Sequence, residues 1–379
     1  MTHFPLYIHQ QASWTDWQYD SHALLPLVSE IRLKQGQLMG RLQSIGFELN
    51  LEAQLNAVTL EVIKTSEIEG ELLNQQQVRS SVARFLGVAT VGLPTPSREV
   101  EAVVEMLLKA TFDFAKPLTL DELLPWHRAL FPTGFSGLYA VKTGQLRDDS
   151  EGAMQVVSGG YGRTKVHFEA PSAERLMDEL SQFLAWFNTP ISEQPNMDWL
   201  IKAGIAHLWF ITIHPFDDGN GRLTRAITER ALANSDGSPQ RFYSLSAQIL
   251  LDRKSYYEIL EKTQKGDNHI TDWLVWFLTT LNHALIHALV ATDKIMFKAK
   301  FWQVHSKVSF NDRQTLMLNK LLTDFYGSLT TKKWAIITKV SADTALRDIN
   351  DLIDKGVLQK NLGKGKNITY QLNPKPCQA

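Results

Sequence analysis

The run H-P-F-D-D-G-N-G-R-L-T-R, His214 to Arg225, sets an imidazole, two carboxylates, two glycines around an asparagine and two guanidinium groups in one short stretch. Glycine tolerates positive φ, so the N–H groups of Gly219, Asn220 and Gly221 can turn toward one point. A helix that starts there adds its dipole in favour of negative charge. That is a phosphate cradle. Arg222 and Arg225 lie one turn apart on the helix that follows, guanidinium forks match phosphate oxygens, and the whole stretch with Leu223 and Thr224 between them is expected to bind the phosphates of ATP. Asp218 at the loop's edge suits Mg²⁺, which binds through one or two carboxylates plus substrate phosphates. His214, whose imidazole ordinarily titrates near ~6.5, can accept a proton from an attacking hydroxyl. Each residue alone has an ordinary reading as a capped histidine, a solvated loop carboxylate or a surface charge. Together they make one anion site with a base and a metal ligand, a set that chance seldom assembles.

The flanking sequence says what must hold them. Ile205 to Ile213 is apolar apart from His207 and Thr212, and the residue before a proline is pushed out of helical geometry. His214 therefore stands where a buried helix breaks into a loop. Arg222 to Leu232 is helical again, with Ala226, Ile227 and Leu232 as packing residues. Upstream, apolar residues recur at helical spacing from Leu24 to about Leu86, through Leu51, Leu55, Val58, Val62, Ile68 and Leu72, which predicts two or three helices, one ending near Gly70. Val91 to Ser97, V-G-L-P-T-P-S, is a connector, and a second helical block begins near Arg98. Between Gly144 and Pro171 the stretch M-Q-V-V-S-G-G-Y-G-R-T-K-V-H-F places β-branched residues on both sides of a glycine-rich turn and predicts a hairpin. Helical spacing returns at Leu176, Leu180 and Leu184, and again from Leu200.

The run from His214 resembles the signature of the Fic family, H-x-F-x-[D/E]-G-N-G-R-x-x-R. It matches at His214, Phe216, Asp218, Gly219, Asn220, Gly221, Arg222 and Arg225, and the wider resemblance covers roughly Arg98 to Leu281. The resemblance implies transfer of AMP from ATP to Ser, Thr or Tyr hydroxyls of target proteins and of the enzyme itself. Gly221 stands where the phosphorylating Doc branch has lysine. By the same resemblance His214 deprotonates the target hydroxyl, Asp218 carries Mg²⁺, and the cradle with Arg222 stabilises charge as pyrophosphate leaves. Phe216 anchors the loop. Val156, Val157, Ser158 and Gly159 match the flap near nucleotide and target, and Tyr257 and Gln264 fall near adenine or ribose, although relatives can carry Asn at the latter position. A homodimer is also implied.

A second stretch, T-S-E-I-E-G from Thr65 to Gly70, fits the family's inhibitory-helix pattern [S/T]-x-x-x-E-[G/N] through Thr65, Glu69 and Gly70. A carboxylate at Glu69 paired with Arg225 would occupy the guanidinium that otherwise holds the γ-phosphate. Because it precedes the motif, it resembles the class with an N-terminal inhibitory helix. In some relatives the equivalent carboxylate orients a water for removal of AMP, and the sequence leaves both roles open.

The rest of the chain supplies the frame. Its 379 residues allow two or three domains: an N-terminal helical segment over 1–95, a catalytic core over 96–290 and a C-terminal unit over 300–379. In the last, helices are predicted over Asp312 to Phe325, over T-T-K-K-W-A-I-I-T-K-V, and from an N-cap at Ser341 to Gly356. Alternation around G-K-G follows, the outline of a winged helix-turn-helix. Its wing carries Lys360, Lys364, Lys366 and Lys375, which suits a phosphate backbone. Asp343, Asp348, Asp351 and Asp354 against one Arg347 disfavour a major-groove helix. A nucleotide-sensing DNA-binding regulator is thus the lesser reading, since a sensor needs no proton acceptor at His214.

Net charge is −1, with 44% hydrophobic and 21% charged residues, which fits a soluble globular protein without a global field for nucleic acid or membrane. The single Cys377 excludes an internal disulfide. The start M-T-H-F-P-L-Y-I-H-Q-Q has no leader pattern and no segment approaches the ~20 apolar residues of a membrane span. A cytoplasmic protein without a membrane partner is expected. The expected fold is mainly α: a Fic-type helical core with a β-hairpin flap, plus a winged helix-turn-helix.

Overall fold

The computed structural model describes residues 6–150, 152–159, 164–194, 197–323, 325–361 and 368–373. Lys364, Lys366, Lys375 and Cys377 lie outside these, as do residues 160–163 of the flap turn. The chain divides into two compact units, Met1–Leu289 and Val290–Ala379, and the fold is mostly helical as expected.

In the first unit the helices are α1 (Ser21–Ser44), α2 (Phe47–Ile68), α3 (Gln75–Phe85), α4 (Arg98–Phe112), α5 (Leu120–Leu130), α6 (Leu176–Asn188), α7 (Trp199–Ile213), α8 (Asn220–Asp236), α9 (Leu245–Leu251) and α10 (Arg253–Gln264). The long α11 (Thr271–Val304) straddles the division. Asp198 caps α7 by accepting from Leu200 N–H, and every residue from Leu200 to Ile213 is buried. A helix apolar all round belongs in the middle of a core. α8 packs along it, and α4 and α5 also pack on α8. Where α11 crosses α7, the Trp273 indole donates to Gly204 O at 2.8 Å, and a Cβ on Gly204 would lie 2.8 Å from Leu274 Cδ2.

α2 packs on α3 and α9 and ends in a way that matters for the site. Gly70 takes φ +86, its N–H donates to Glu67 O, and Glu71 N–H donates to Ser66 O, both at 3.0 Å. These are the paired bonds of a Schellman turn, which glycine favours because it has no Cβ to clash. The turn places Glu69 and Glu71 on either side of Gly70.

Two short ribbons interrupt the helices. β1 (Phe135–Ser136) pairs with β2 (Tyr139–Ala140), which sequence pattern did not indicate. β3 (Gln155–Ser158) pairs antiparallel with β4 (Lys165–Glu169), the expected hairpin. Val156 faces Phe168 but Val157 faces Val166, so His167 is an extra residue in β4. Phe168 anchors this ribbon against Tyr7 and Ala170.

In the second unit α12 (Asp312–Leu322), α13 (Thr331–Thr338) and α14 (Ala342–Asp354) precede a ribbon of β5 (Leu358–Lys360) and β6 (Tyr370–Leu372). They close over Met317, Leu318, Trp334, Ile349 and Leu352. Ser341 caps α14 by accepting from Thr344 N–H, and Gly356 takes φ +69 just beyond its end. α12 stops at Leu322, short of the expected Phe325.

One expectation is corrected. α11 is long and apolar enough, by length and composition, to cross a membrane, whereas no segment was expected to approach a span. Its apolar residues at Trp273, Leu274, Phe277, Leu278, Leu281 and Leu285 are all buried, which accounts for that composition as core packing. On α14, Asp348 is turned into the unit, whereas the Asp351 side chain stays 48% exposed. Asp348 accepts from Arg313 Nε at 2.7 Å, and Asp351 accepts from Gln314 Nε2 at 2.7 Å, both within the unit.

The α7–α11 crossing generates a test. Gly204→Val would overpack it, at a cost of about 1–3 kcal/mol. The melting temperature should fall by several degrees in calorimetry, and an unchanged value would mean that the helices separate freely there.

Candidate active site

His214 ends α7 in the left-handed region, φ 50 and ψ 60, with its N–H donating to Phe210 O at 3.1 Å. Among the described residues only His214 and Lys339 combine a side chain with positive φ. Such a conformation persists where its surroundings over-determine it. Here the buried Arg147 does so. Its Nε donates to His214 O at 2.7 Å, its Nη2 to Pro171 O at 2.5 Å, and its backbone N–H to Pro215 O at 3.0 Å. Asp149 holds the third guanidinium nitrogen at 3.1 Å. Arg147 thus ties the loop after α7 to the exit of the flap.

The loop is closed from inside by Asn220, whose Oδ1 accepts from Phe216 N–H at 3.0 Å and whose Nδ2 donates to Phe216 O at 2.7 Å. Phe216 is buried and stacks on His127, centroids 4.2 Å apart. Gly144 N–H donates to His127 Nδ1 at 3.0 Å, so the ring's proton is on Nε2, which donates to Asp218 O at 3.1 Å. Gly219 takes φ +78, and a Cβ there would fall 3.0 Å from the Phe131 ring. Neither Arg147 nor His127 stood out in the sequence, because each acts through contacts with residues far along the chain.

Burial pushes the His214 and His127 imidazoles down to about 4, so both are neutral at pH 7. For His214 the Arg147 charge acts in the same direction, while Asp218 and Glu69 oppose it. His214 Nδ1 faces Ile211 O at 3.2 Å. A carbonyl only accepts, so Nδ1 carries the proton and Nε2 keeps its lone pair for a substrate hydroxyl.

At the head of α8, Arg222 and Arg225 are each only 2% exposed. Arg225 donates through Nε to Thr65 Oγ1 at 2.6 Å and through Nη2 to Thr65 O at 2.9 Å and Glu69 Oε1 at 2.6 Å. The Glu69 carboxylate lies directly over the cradle, since a Cβ on Gly221 would come 2.1 Å from its Oε1. Arg222, whose guanidinium lies over the Phe131 ring, donates through Nη1 to Glu71 Oε2 at 2.7 Å. Both arginines are therefore held by carboxylates from the end of α2. Burial pushes the Glu71 carboxyl up, against the pull of Arg222. Glu71 was not singled out in the sequence, although E-G-E places it opposite Glu69 across the glycine that ends the helix.

The structure brings His214, Asp218, Gly219, Asn220, Gly221, Arg222, Arg225 and Glu69 together. Leu223 and Thr224 are wholly buried, with Thr224 Oγ1 donating to Asn220 O at 2.7 Å, so their side chains face the core. Gln264 donates to Thr212 Oγ1 at 3.2 Å, two residues before His214. The Tyr257 phenol is raised by burial and by the charge of Glu69, with Arg225 pulling the other way. Val157, Ser158 and Gly159 are exposed and Val156 half-buried along the flap. Asp218 Oδ1 accepts from Gly219 N–H at 2.5 Å. No group of three or more metal-binding side chains exists among the described residues. A single carboxylate beside a phosphate seat suits Mg²⁺, which takes most of its ligands from water and phosphate.

Residues 117–232 match the model of the Fic/DOC family, and residues 7–88, which include Glu69 and Glu71, match a domain of unknown function, DUF4172. The chain carries a Fic domain. It is 25% identical over 218 residues to the protein adenylyltransferase fic-1 of Caenorhabditis elegans, covering 55% of this chain and 37% of that protein. It is 29% identical over 119 residues to a uridine 5'-monophosphate transferase of Xanthomonas campestris, covering 31% of this chain and 21% of that protein. The chain thus spans less than half the length of these curated relatives. A Fic family protein from Desulfovibrio desulfuricans G20 shares the fold with TM-score 0.51 at 21% identity, over 95% of this chain and 98% of that one.

The neutral imidazoles can be checked by NMR titration. His214 and His127 should remain uncharged until about pH 4, and a midpoint near 6.5 for His214 would mean that its ring is not buried as described.

Proposed function

We propose that this chain transfers AMP from ATP to hydroxyl groups of proteins and is held inactive by its own Glu69 and Glu71. The observation that carries the reading is the Glu69 carboxylate lying over Gly221 and bonded to Arg225 at 2.6 Å. A seat built for an anion is filled by an anion of the same chain. In the active form the target hydroxyl gives its proton to His214 Nε2 as its oxygen attacks the α-phosphorus, and the bond to pyrophosphate breaks. The N–H groups at the head of α8 and the two arginines receive the negative charge that develops on the departing phosphates. Asp218 would hold Mg²⁺, which neutralises part of that charge. Names of relatives as adenylyltransferases at about 25% identity support a Fic transferase, and the AMP assignment is our own.

A second reading, removal of AMP, draws on the same carboxylate. The Glu69 charge opposes the effect of burial on the His214 imidazole, and in this reading the carboxylate orients a water instead of blocking a phosphate. The C-terminal unit has the element order of a winged helix, and we assign it to recruitment of the target or of a second copy of the chain in the cytoplasm. Nucleic acid remains the lesser partner.

The experiment is incubation with α-labelled ATP, with α-labelled UTP in parallel. Removing a hydrogen-bonded charge of this kind is worth about 1.5–3 kcal/mol, so Glu69→Gly should raise label transfer by ~10–100-fold. Glu71→Gln should raise it less, because it frees Arg222 but leaves Glu69 over the cradle and bonded to Arg225. His214→Ala in the Glu69→Gly background should abolish multiple-turnover release of pyrophosphate. An unchanged rate in Glu69→Gly would refute the brake, and label from UTP alone would replace AMP by UMP.

A further inference from the structure

The flap carries a second constellation that the transfer mechanism does not use. His167, the extra residue of β4, is turned by the bulge toward the neighbouring strand, as bulges turn side chains beside many active sites. Its Nε2 lies 2.5 Å from Ser158 Oγ on β3, and its Nδ1 lies 2.5 Å from Glu261 Oε2 on α10. A carboxylate accepts, so Nδ1 bears the proton and Nε2 offers its lone pair to the serine hydroxyl. Lys265 bonds Glu261 at 2.7 Å and, with His167, holds its carboxyl down to about 2, so it is ionised at neutral pH. Hydroxyl, imidazole and carboxylate in this order make an activated serine nucleophile.

Its position supports use rather than packing. Ser158 is exposed, whereas the ribbon is anchored elsewhere, through Phe168. Glu261 lies one turn beyond Tyr257, whose phenol feels both Glu69 and Arg225. It lies three residues before Gln264, which bonds Thr212 next to the His214 loop. Glu261 therefore ties the flap residues Ser158 and His167 to α10, the helix that Gln264 joins to α7 just before His214.

We propose that Ser158 is a self-modification site, an acceptor of the nucleotidyl group with His167 as its base and Glu261 as the residue that positions His167. The proposal rests on the transferase reading. Ser158 Oγ bonds to the α-phosphorus of ATP, the bond from that phosphorus to pyrophosphate breaks, pyrophosphate leaves with the electron pair, and the serine proton passes to His167 Nε2 and then to water. The product is a phosphodiester between Ser158 and AMP.

The activated hydroxyl can be tested without ATP. A fluorophosphonate presents a phosphorus electrophile with fluoride as the leaving group, and peptide mass spectrometry locates its adduct. Wild type should be labelled at Ser158. His167→Asn should slow labelling by ~100-fold, the lower end of general-base catalysis, with an unchanged melting temperature to show that it folds. Glu261→Gln should slow it by roughly tenfold, with part of the rate recovered in Glu261→Asp, as a positioning role requires. No adduct at Ser158, or labelling indifferent to His167→Asn, overturns the relay. In the Glu69→Gly background with ATP, the peptide carrying Ser158 should gain one AMP. AMP on other residues only overturns Ser158 as acceptor and leaves the transferase standing. Fluorophosphonate labelling with no nucleotide transferred to any residue overturns both.

Discussion

The site is organised by two buried guanidinium groups that need anions. An arginine removed from water is strongly destabilising unless it is paired, and breaking a buried pair costs about 3–5 kcal/mol. Arg222 and Arg225 sit at the head of α8, buried, and require partners there. The end of α2 supplies them. The Glu69 side chain keeps 31% of its exposure and Glu71 41%, against 2% for each arginine. The cationic half is therefore fixed in the core while the anionic half stands at the surface, where an incoming phosphate can compete for the same nitrogens.

The rest of the first unit keeps this pairing in register. α7 is buried along its length and brings His214 to a set position, and Arg147, Asn220 and His127 fasten the loop by main-chain contacts on three sides. The helix that precedes Glu69 is fastened as well. Glu61 on α2 accepts from Ser244 Oγ at 2.7 Å and Ser246 N–H at 3.0 Å, where α9 begins. On the proposed reading, displacing Glu69 and Glu71 from the arginines leaves this anchorage of α2 in place.

Much of this was legible in the sequence because it is local. The break before Pro215, the glycines of the cradle, the spacing of the two arginines, the glycine that ends α2 and the flap hairpin all follow from short-range backbone chemistry. What was missed depends on contacts across the chain. Glu71 meets Arg222 across 151 residues, and Arg147 reaches His214 across 67. A bulge at His167 leaves no mark in a run of alternating residues. The span-like composition of α11 was missed for the same reason, since only packing reveals which face of a helix is spent inside.

The central claim is that the carboxylates of α2 and the terminal phosphate of ATP compete for one guanidinium. The most direct measurement is the affinity of wild type and Glu69→Gly for ATP and for ADP, by titration calorimetry. If Arg225 is withheld, wild type should bind the two nucleotides about equally. Freeing it should favour ATP by ~10-fold, the worth of one charge-assisted bond. Equal ratios of ATP to ADP affinity in the two proteins would contradict the account.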